Sequence, residues 1–189
     1  EYERIMQAVV VVRNDERGGY GSGTLFTYDG HLLVLTASHV VTGLKYTTVT
    51  HGGSFALGSI VYDNPESDIA VLLVPEISDR KPLKLKFKNK QLKMGDTLSY
   101  CGFPNSRDLS CFSGEVSRMS EDIIHIHSYA WMGASGSSVF DSSGNVVGIL
   151  SAIEVGTVWG GPQLIDNVVW AGALTEKEIE KIQLVLDEI

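Results

Sequence analysis

Short apolar runs separated by turn residues follow one another along most of the chain. Early examples are "QAVVVVRN" at 7–14, "GTLFTYDGHLLVLTA" at 23–37 and "DIAVLLV" at 68–74. The second of these divides into two strands at Asp29-Gly30, a pair that is typical of tight hairpin turns. Later runs of the same kind are "DTLSYCGF", "DIIHIHSYA" and "VVGILSAIE". Strands this short, at this spacing, predict an all-β barrel or sandwich.

The C-terminal segment "LTEKEIEKIQLVLDEI" changes to a helical period. Thr175 is followed three residues later by Glu178, which is the pattern of a capping box, where each side chain binds the backbone N–H of the other residue. Apolar residues then recur at helical spacing: Ile179, Ile182, Leu186 and Ile189. We expect one helix whose apolar face packs on the barrel.

Positive charge is concentrated in one segment of an acidic chain. The chain carries a formal net charge of −8, yet seven of its 15 basic residues lie between Arg80 and Lys93. Within this segment Leu83, Leu85 and Phe87 alternate with lysines, which favours an edge strand protected by charge. The alternative is a local strip that contacts an anionic ligand or RNA, although aromatic residues other than Phe87 are lacking there. The net charge argues against nucleic-acid or anionic-membrane binding by the chain as a whole.

The two cysteines, Cys101 and Cys111, are too few for a disulfide-stapled scaffold. We expect two buried free thiols, with pairing as the alternative if both residues lie on one hairpin. No apolar stretch approaches the roughly 18 residues of a membrane-spanning helix, so no membrane contact is expected. The N-terminal "EYERIMQ" lacks an initiator methionine and a signal pattern, which indicates a processed or trimmed end and leaves the compartment undetermined.

Three residues could together perform nucleophilic catalysis. A catalytic serine needs a base to take its proton, a carboxylate to orient that base, and N–H donors for the oxyanion. His39 in "LTASHVV" follows an apolar strand, and Asp68 in "SDIAVLLV" stands at the start of the most apolar one. Ser135 in "GASGS" is flanked by Gly133 and Gly136, which allow a tight turn.

Two of the three candidates have rivals nearby in the sequence. Asp63 competes with Asp68 but has turn-like surroundings, and Ser137 and Ser138 compete with Ser135. His125 and His127 alternate on one strand, but no cysteine or acidic ligand set accompanies them, so a metal site is disfavoured.

Six motifs, taken in order, resemble those of the trypsin-like (chymotrypsin-fold) serine proteases, in particular the HtrA-like and viral 3C-like branch. The motifs are "GSGTLF", "LTASHVV", "SDIAVLLV", "SGEVS", "GASGS" and "GNVVGILSA". The resemblance extends over residues 7–187. It implies two six-stranded antiparallel β-barrels and a C-terminal helix. The expected divisions are an N-terminal barrel over 1–78, a linker or edge segment over 79–93, a C-terminal barrel over 94–173 and the helix over 174–189.

The order of the candidates separates this family from the α/β-hydrolases. In an α/β-hydrolase the nucleophile comes first and the histidine last, whereas the order here is His39, Asp68, Ser135. Strands that alternate with helices are also missing from the pattern.

The family resemblance implies a role for each residue. Ser135 is the nucleophile, His39 the general base, and Asp68 the group that orients the imidazole. Gly133 and Ser135 supply the oxyanion donors, and no metal or cofactor is implied. The hydroxyl of Ser151 supports Asp68 while its backbone pairs with the substrate.

The expected substrate pocket lacks a residue that would select a charged side chain, so we expect a small or apolar P1 residue. Its predicted walls are Tyr129, Trp131, Met132, Ser151, Ala152 and Ile153. The sequence thus predicts a serine endopeptidase for a protein or polyprotein substrate. The alternative is a catalytically silent trypsin-like fold that binds protein or RNA.

Two positions depart from the family pattern. Ala134 stands where zymogen-type members carry an aspartate that receives a newly cut N-terminus, which argues against that activation switch. Ser137 stands where the family has a second glycine after the nucleophile, and the sequence alone gives no reason for it.

Overall fold

The computed structural model describes residues 2–77, 79–87, 91–103, 108–128, 134–158 and 161–189, with the backbone alone over 152–158 and 161–167. The strands of the N-terminal half are β1 (Val9–Asn14), β2 (Gly19–Tyr28), β3 (His31–Thr36), β4 (Tyr46–His51), β5 (Ser54–Asn64), β6 (Ile69–Leu73) and β7 (Leu83–Lys84). Those of the C-terminal half are β8 (Thr97–Gly102), β9 (Ser110–Ser120), β10 (Ile123–His127), β11 (Ser138–Phe140), β12 (Val146–Val158) and β13 (Gly161–Ala173). The helices are α1 (Tyr2–Met6), α2 (Ser38–Val41) and α3 (Glu176–Asp187).

The first barrel closes on itself through six antiparallel strands. Its order is β1-β4-β5-β6-β3-β2, and β2 pairs back with β1. The predicted turn between β2 and β3 is present, with φ of 47° at Asp29 and 79° at Gly30. Successive strand residues point to opposite faces. Because Ile69 to Leu72 are all fully buried, β6 is covered on both faces.

The second barrel is also closed, in the order β10-β13-β12-β11-β8-β9. Its buried core includes Leu98, Tyr100, Ile124, Ile126 and Leu150. The two closed antiparallel barrels confirm the predicted fold class. The exact domain divisions stay a prediction, with barrel strands running from Val9 to Leu73 and from Thr97 to Ala173.

The basic segment alternates as predicted. Leu83 and Leu85 are buried, whereas Lys84 and Lys86 are exposed. β7 pairs in parallel with β2, and Phe87 bridges to Val146 of the second barrel. The segment therefore contacts both barrels through its apolar side and backbone. Its binding to an anion or RNA stays a prediction.

The expectation of two free thiols was wrong, because Cys101 and Cys111 form a disulfide. The two residues lie directly opposite each other on the β8–β9 pair. Residues in that relation have neighbouring Cβ atoms, which is the arrangement that a disulfide needs.

The C-terminal helix α3 begins as predicted, but only half of its capping box is present. The Thr175 hydroxyl accepts a hydrogen bond from the Glu178 N–H at 3.1 Å. The Glu178 carboxylate is instead bound by donors of the first barrel, so the predicted reciprocal cap was wrong. Ile182 and Leu186 are buried, whereas Ile189, which was expected to pack with them, lies past the helix and is 47% exposed. Within the described ranges, no helix is long and apolar enough to cross a membrane.

Candidate active site

Two adjacent strands of the first barrel bring His39 and Asp68 together. β3 and β6 are antiparallel neighbours, with Thr36 opposite Ala70. The end of β3 therefore lies beside the start of β6, so α2, which follows β3, carries His39 next to Asp68. The His39 Nδ1 to Asp68 Oδ2 distance is 2.7 Å, and the His39 backbone N–H donates to Oδ1 at 2.8 Å.

The second barrel contributes a third hydrogen bond to Asp68. The Ser151 hydroxyl donates to Oδ2 at 2.5 Å, as the family resemblance implied. The backbone of Asp68 has φ of 60°, in the left-handed region, and its carbonyl accepts the Ser38 N–H at 3.1 Å. The Asp68 side chain is 18% exposed and that of His39 is 51% exposed. The acid is thus sheltered while the imidazole reaches solvent.

Hydrogen bonding keeps Asp68 ionised. Burial acts to raise the pKa of its carboxyl, but hydrogen bonds from His39 and Ser151 outweigh burial and hold the pKa below its ordinary value. A carboxylate accepts hydrogen bonds, so it favours the tautomer in which His39 Nδ1 carries the proton. His39 Nε2 is then left as an acceptor.

A tight turn presents Ser135 at the start of β11. The Ser137 N–H donates to the Ala134 carbonyl at 3.1 Å, and the Ser137 hydroxyl donates to the same oxygen at 2.6 Å. Ser137 is fully buried. Its hydroxyl therefore braces the turn, which accounts for the departure from the family glycine.

Gly136 is required in this turn for two reasons. Its φ is 96°, and an added Cβ would lie 2.0 Å from the Ser22 carbonyl oxygen of the first barrel. The barrels approach closely here because the Ser22 N–H donates to the Ser135 carbonyl at 2.7 Å.

Ser135 and His39 face a common cleft of about 260 Å³. The cleft is lined by Asn14, Arg17, Gly19, Tyr20, His39, Val40 and Ser135. The Ser135 hydroxyl donates to the Ser151 carbonyl at 3.1 Å. The Ser135 hydroxyl and the His39 imidazole thus line one cleft, and the imidazole is in turn bound to the Asp68 carboxylate. These are the three groups that nucleophilic catalysis by a serine needs.

Several predicted site residues lie outside the described part of the chain. They are Gly133, Tyr129, Trp131 and Met132. Ala152 and Ile153 lie on β12, opposite Trp170 and Val169, and their backbone alone is described. The oxyanion donor at Gly133 and most of the substrate pocket therefore stay predictions.

The rival residues have other surroundings. Asp63 accepts a hydrogen bond from the Ser38 hydroxyl at the start of α2, whereas the His39 imidazole is bound to Asp68. The Ser138 hydroxyl is buried and has no hydrogen-bond partner among the described residues. The His125 ring packs edge-on against Trp170, with centroids 5.4 Å apart.

Comparison with known proteins agrees with this geometry. Residues 21–149 match the model of the trypsin-like peptidase domain family. A probable periplasmic serine endoprotease, DegP-like, of Brucella suis is 30% identical over 175 residues, which cover 82% of this chain and 34% of that protein. This chain therefore spans about a third of the length of that relative.

Two solved structures share the fold at low sequence identity. The serine endoprotease from Yersinia pestis superposes with a TM-score of 0.75 at 19% identity, over 98% of this chain and 65% of that one. The HtrA-type protease AlgW with tripeptide gives a TM-score of 0.76 at 23% identity, over 98% of this chain and 62% of that one. The family match over most of the chain, which agrees with the motifs and the two barrels, shows that the chain belongs to the trypsin-like peptidase domain family of serine proteases.

Proposed function

We propose that the chain is a serine endopeptidase that hydrolyses peptide bonds of protein substrates through Ser135, His39 and Asp68. The observation that carries the proposal is the Asp68 carboxylate, whose Oδ2 accepts from both His39 Nδ1 and the Ser151 hydroxyl. The proposal is supported by the cleft between the barrels, which His39 of one barrel and Ser135 of the other both line. The names of the relatives support protein substrates.

The chemistry proceeds in two stages. The Ser135 hydroxyl leaves the Ser151 carbonyl, gives its proton to His39 Nε2 and attacks the peptide carbonyl carbon, and the C–N bond then breaks. His39 gives the proton to the leaving amine, so Ser135 holds an ester. Water then attacks this ester with His39 again as the base, and the acid product and the free hydroxyl are released. The Asp68 charge stabilises the imidazolium in both stages.

Labelling with a fluorophosphonate probe tests the nucleophile. We expect the wild-type chain to react and Ser135→Ala to lose all labelling. Ser138→Ala is the matched control, because it removes a buried neighbouring hydroxyl that has no partner among the described residues. It should label at the wild-type rate.

Two outcomes would contradict the proposal. A folded wild-type sample that takes up no probe would favour the silent binding fold. Labelling that survives in Ser135→Ala would identify another nucleophile. The P1 preference for a small or apolar residue needs a separate measurement, in which a digested peptide library is read by mass spectrometry.

A further inference from the structure

A buried carboxylate on the C-terminal helix binds the segment that leads into Asp68. Glu178 is 6% exposed. Its Oε1 accepts from the Tyr62 hydroxyl at 2.8 Å and from the Ser67 hydroxyl at 2.7 Å. The Asn64 side-chain amide lies 3.2 Å from each carboxylate oxygen. All three donors come from the end of β5 and the turn that follows it.

These contacts join α3 to the first barrel and do not cap the helix itself. A buried polar group is costly unless it is hydrogen-bonded, and Glu178 has three side-chain donors. The Tyr62 and Ser67 hydroxyls and the Asn64 amide are neutral groups, so Glu178 is satisfied by neutral donors. Burial and the hydrogen bond to Glu178 raise the pKa of Tyr62, so its hydroxyl stays protonated and donates. Hydrogen bonds weaken steeply with distance and angle, so these contacts specify the position of the bound segment as well as satisfying the Glu178 carboxyl group.

The segment held by Glu178 determines where Asp68 lies. Ser67 is its chain neighbour, and the Ser67 carbonyl rests on the second barrel, where an added Cβ at Gly172 would lie 2.1 Å from it. Asp68 itself has φ of 60°. A non-glycine residue persists in that region when its surroundings over-determine it. The bond from Glu178 to Ser67 is one such constraint, one residue before Asp68.

We infer that Glu178 is a positioning residue for Asp68, which it acts on through the hydrogen bonds to Tyr62, Asn64 and Ser67. This inference rests on the proposed function for its effect on rate. The structural part of the inference is that Glu178 keeps the Asp68 carboxylate hydrogen-bonded to His39 Nδ1. This part does not depend on whether the chain is catalytically active. The helix of the second half is thereby linked to the acid of the first barrel.

The variant Glu178→Gln tests the inference with little change in volume. Gln replaces one acceptor oxygen with a donor group that faces the Asn64 amide. Asn64 cannot turn its oxygen toward Gln without losing the Glu66 N–H, which donates to Asn64 Oδ1 at 3.2 Å. The matched control is Glu180→Gln, an exposed position on the same helix. Ser67→Ala is a second variant that removes one donor and leaves the helix unchanged.

The kinetic readout is fluorophosphonate inactivation, resolved into a maximal rate and a half-saturating probe concentration. Small misplacements of catalytic groups cost up to about 100-fold in rate, so we expect Glu178→Gln to lower the maximal rate about 10- to 100-fold. The half-saturating concentration should be unchanged, and Ser67→Ala should show a smaller loss. In an Asp68→Asn background, Glu178→Gln should cause no further loss. A lower melting temperature with an unchanged maximal rate would overturn the inference.

A proton NMR measurement separates the inference from the proposed function. The His39 Nδ1 proton, held on Asp68 in a short hydrogen bond, should give a downfield resonance in the wild type and in Glu180→Gln. We expect it to be lost or shifted in Glu178→Gln. If the wild type takes up no probe, the proposed function fails while this resonance still tests the positioning role. An unchanged resonance in both Glu178→Gln and Ser67→Ala would overturn the inference.

Discussion

Ser137→Ala tests which contacts stabilise the turn that contains Ser135. The substitution removes one buried hydrogen bond, from the Ser137 hydroxyl to the Ala134 carbonyl at 2.6 Å. That carbonyl keeps the Ser137 N–H at 3.1 Å, so no buried acceptor is orphaned. The loss is therefore the net value of one neutral hydrogen bond, about 1 kcal/mol. For a chain of this length the melting temperature should fall by about 2–4 °C.

The assay is thermal unfolding followed by circular dichroism, with Ser142→Ala as the matched control. Ser142 is exposed in the turn after β11. Its substitution should change the free energy of unfolding by less than about 0.5 kcal/mol. Equal melting temperatures for Ser137→Ala and Ser142→Ala would refute the bracing role of the Ser137 hydroxyl.

Gly102 offers a coupled version of the same test. An added Cβ at Gly102 would lie 2.3 Å from the Ser137 hydroxyl oxygen and 2.9 Å from that of Ser22. Gly102→Ala should therefore destabilise the fold by about 1–3 kcal/mol through overpacking. Adding Ser137→Ala removes the closer contact, so the double variant should lose less than the sum of the singles, by about 0.5 kcal/mol or more. Additive losses would show that Ser137 and Gly102 do not meet.

Three further changes probe other parts of the structure. Replacing Cys101 and Cys111 by serine opens a loop with a sequence separation of 10. It should cost about 2.7 kcal/mol in the chain-entropy account, or about 5–11 °C of melting temperature, and reductant should have the same effect on the wild type. Because the pKa of Asp68 is lowered by folding, its stabilising contribution is present above its ordinary pKa and disappears as the pH falls through the folded value. Below about pH 4, the melting temperature of Asp68→Asn should therefore fall less steeply with decreasing pH than that of the wild type. Thr175→Ala removes the cap of α3 and should cost about 1 kcal/mol in denaturant unfolding.

Local patterns were sufficient for the strands of the first barrel. The Asp29-Gly30 turn and the runs on either side of it contain their own signals, since turn type and alternation depend on neighbouring residues. The division into two closed barrels came from the family resemblance, and the pairing of β1 with β2 was seen only in the structure. Pairing between distant strands leaves no periodic signal in either strand alone.

The side-chain contacts of the site were harder to predict because their partners are distant in sequence. Ser67 and Glu178 are 111 residues apart. The spacing from Thr175 to Glu178 fits a capping box. The sequence therefore already offered a local role for Glu178, and nothing in it indicated the distant contact with Ser67. The same reason applies to the cysteines. To predict their disulfide, one must know that β8 and β9 pair with Cys101 opposite Cys111, and the sequence does not give this register.

Several polar contacts join the two halves of the chain near Ser135 and Asp68, in addition to the apolar core that both halves share. Burial of apolar surface is non-directional, so it specifies the relative position of the barrels less sharply than hydrogen bonds do. Hydrogen bonds weaken steeply with distance and angle, so a few of them fix a relative position. Ser22 to Ser135, Ser151 to Asp68 and Glu178 to Ser67 each join the two halves of the chain at the site. These directional contacts hold Ser135 of one barrel at the cleft that His39 of the other barrel lines. If the proposed function holds, single-atom changes at these contacts should therefore alter the rate more than the stability.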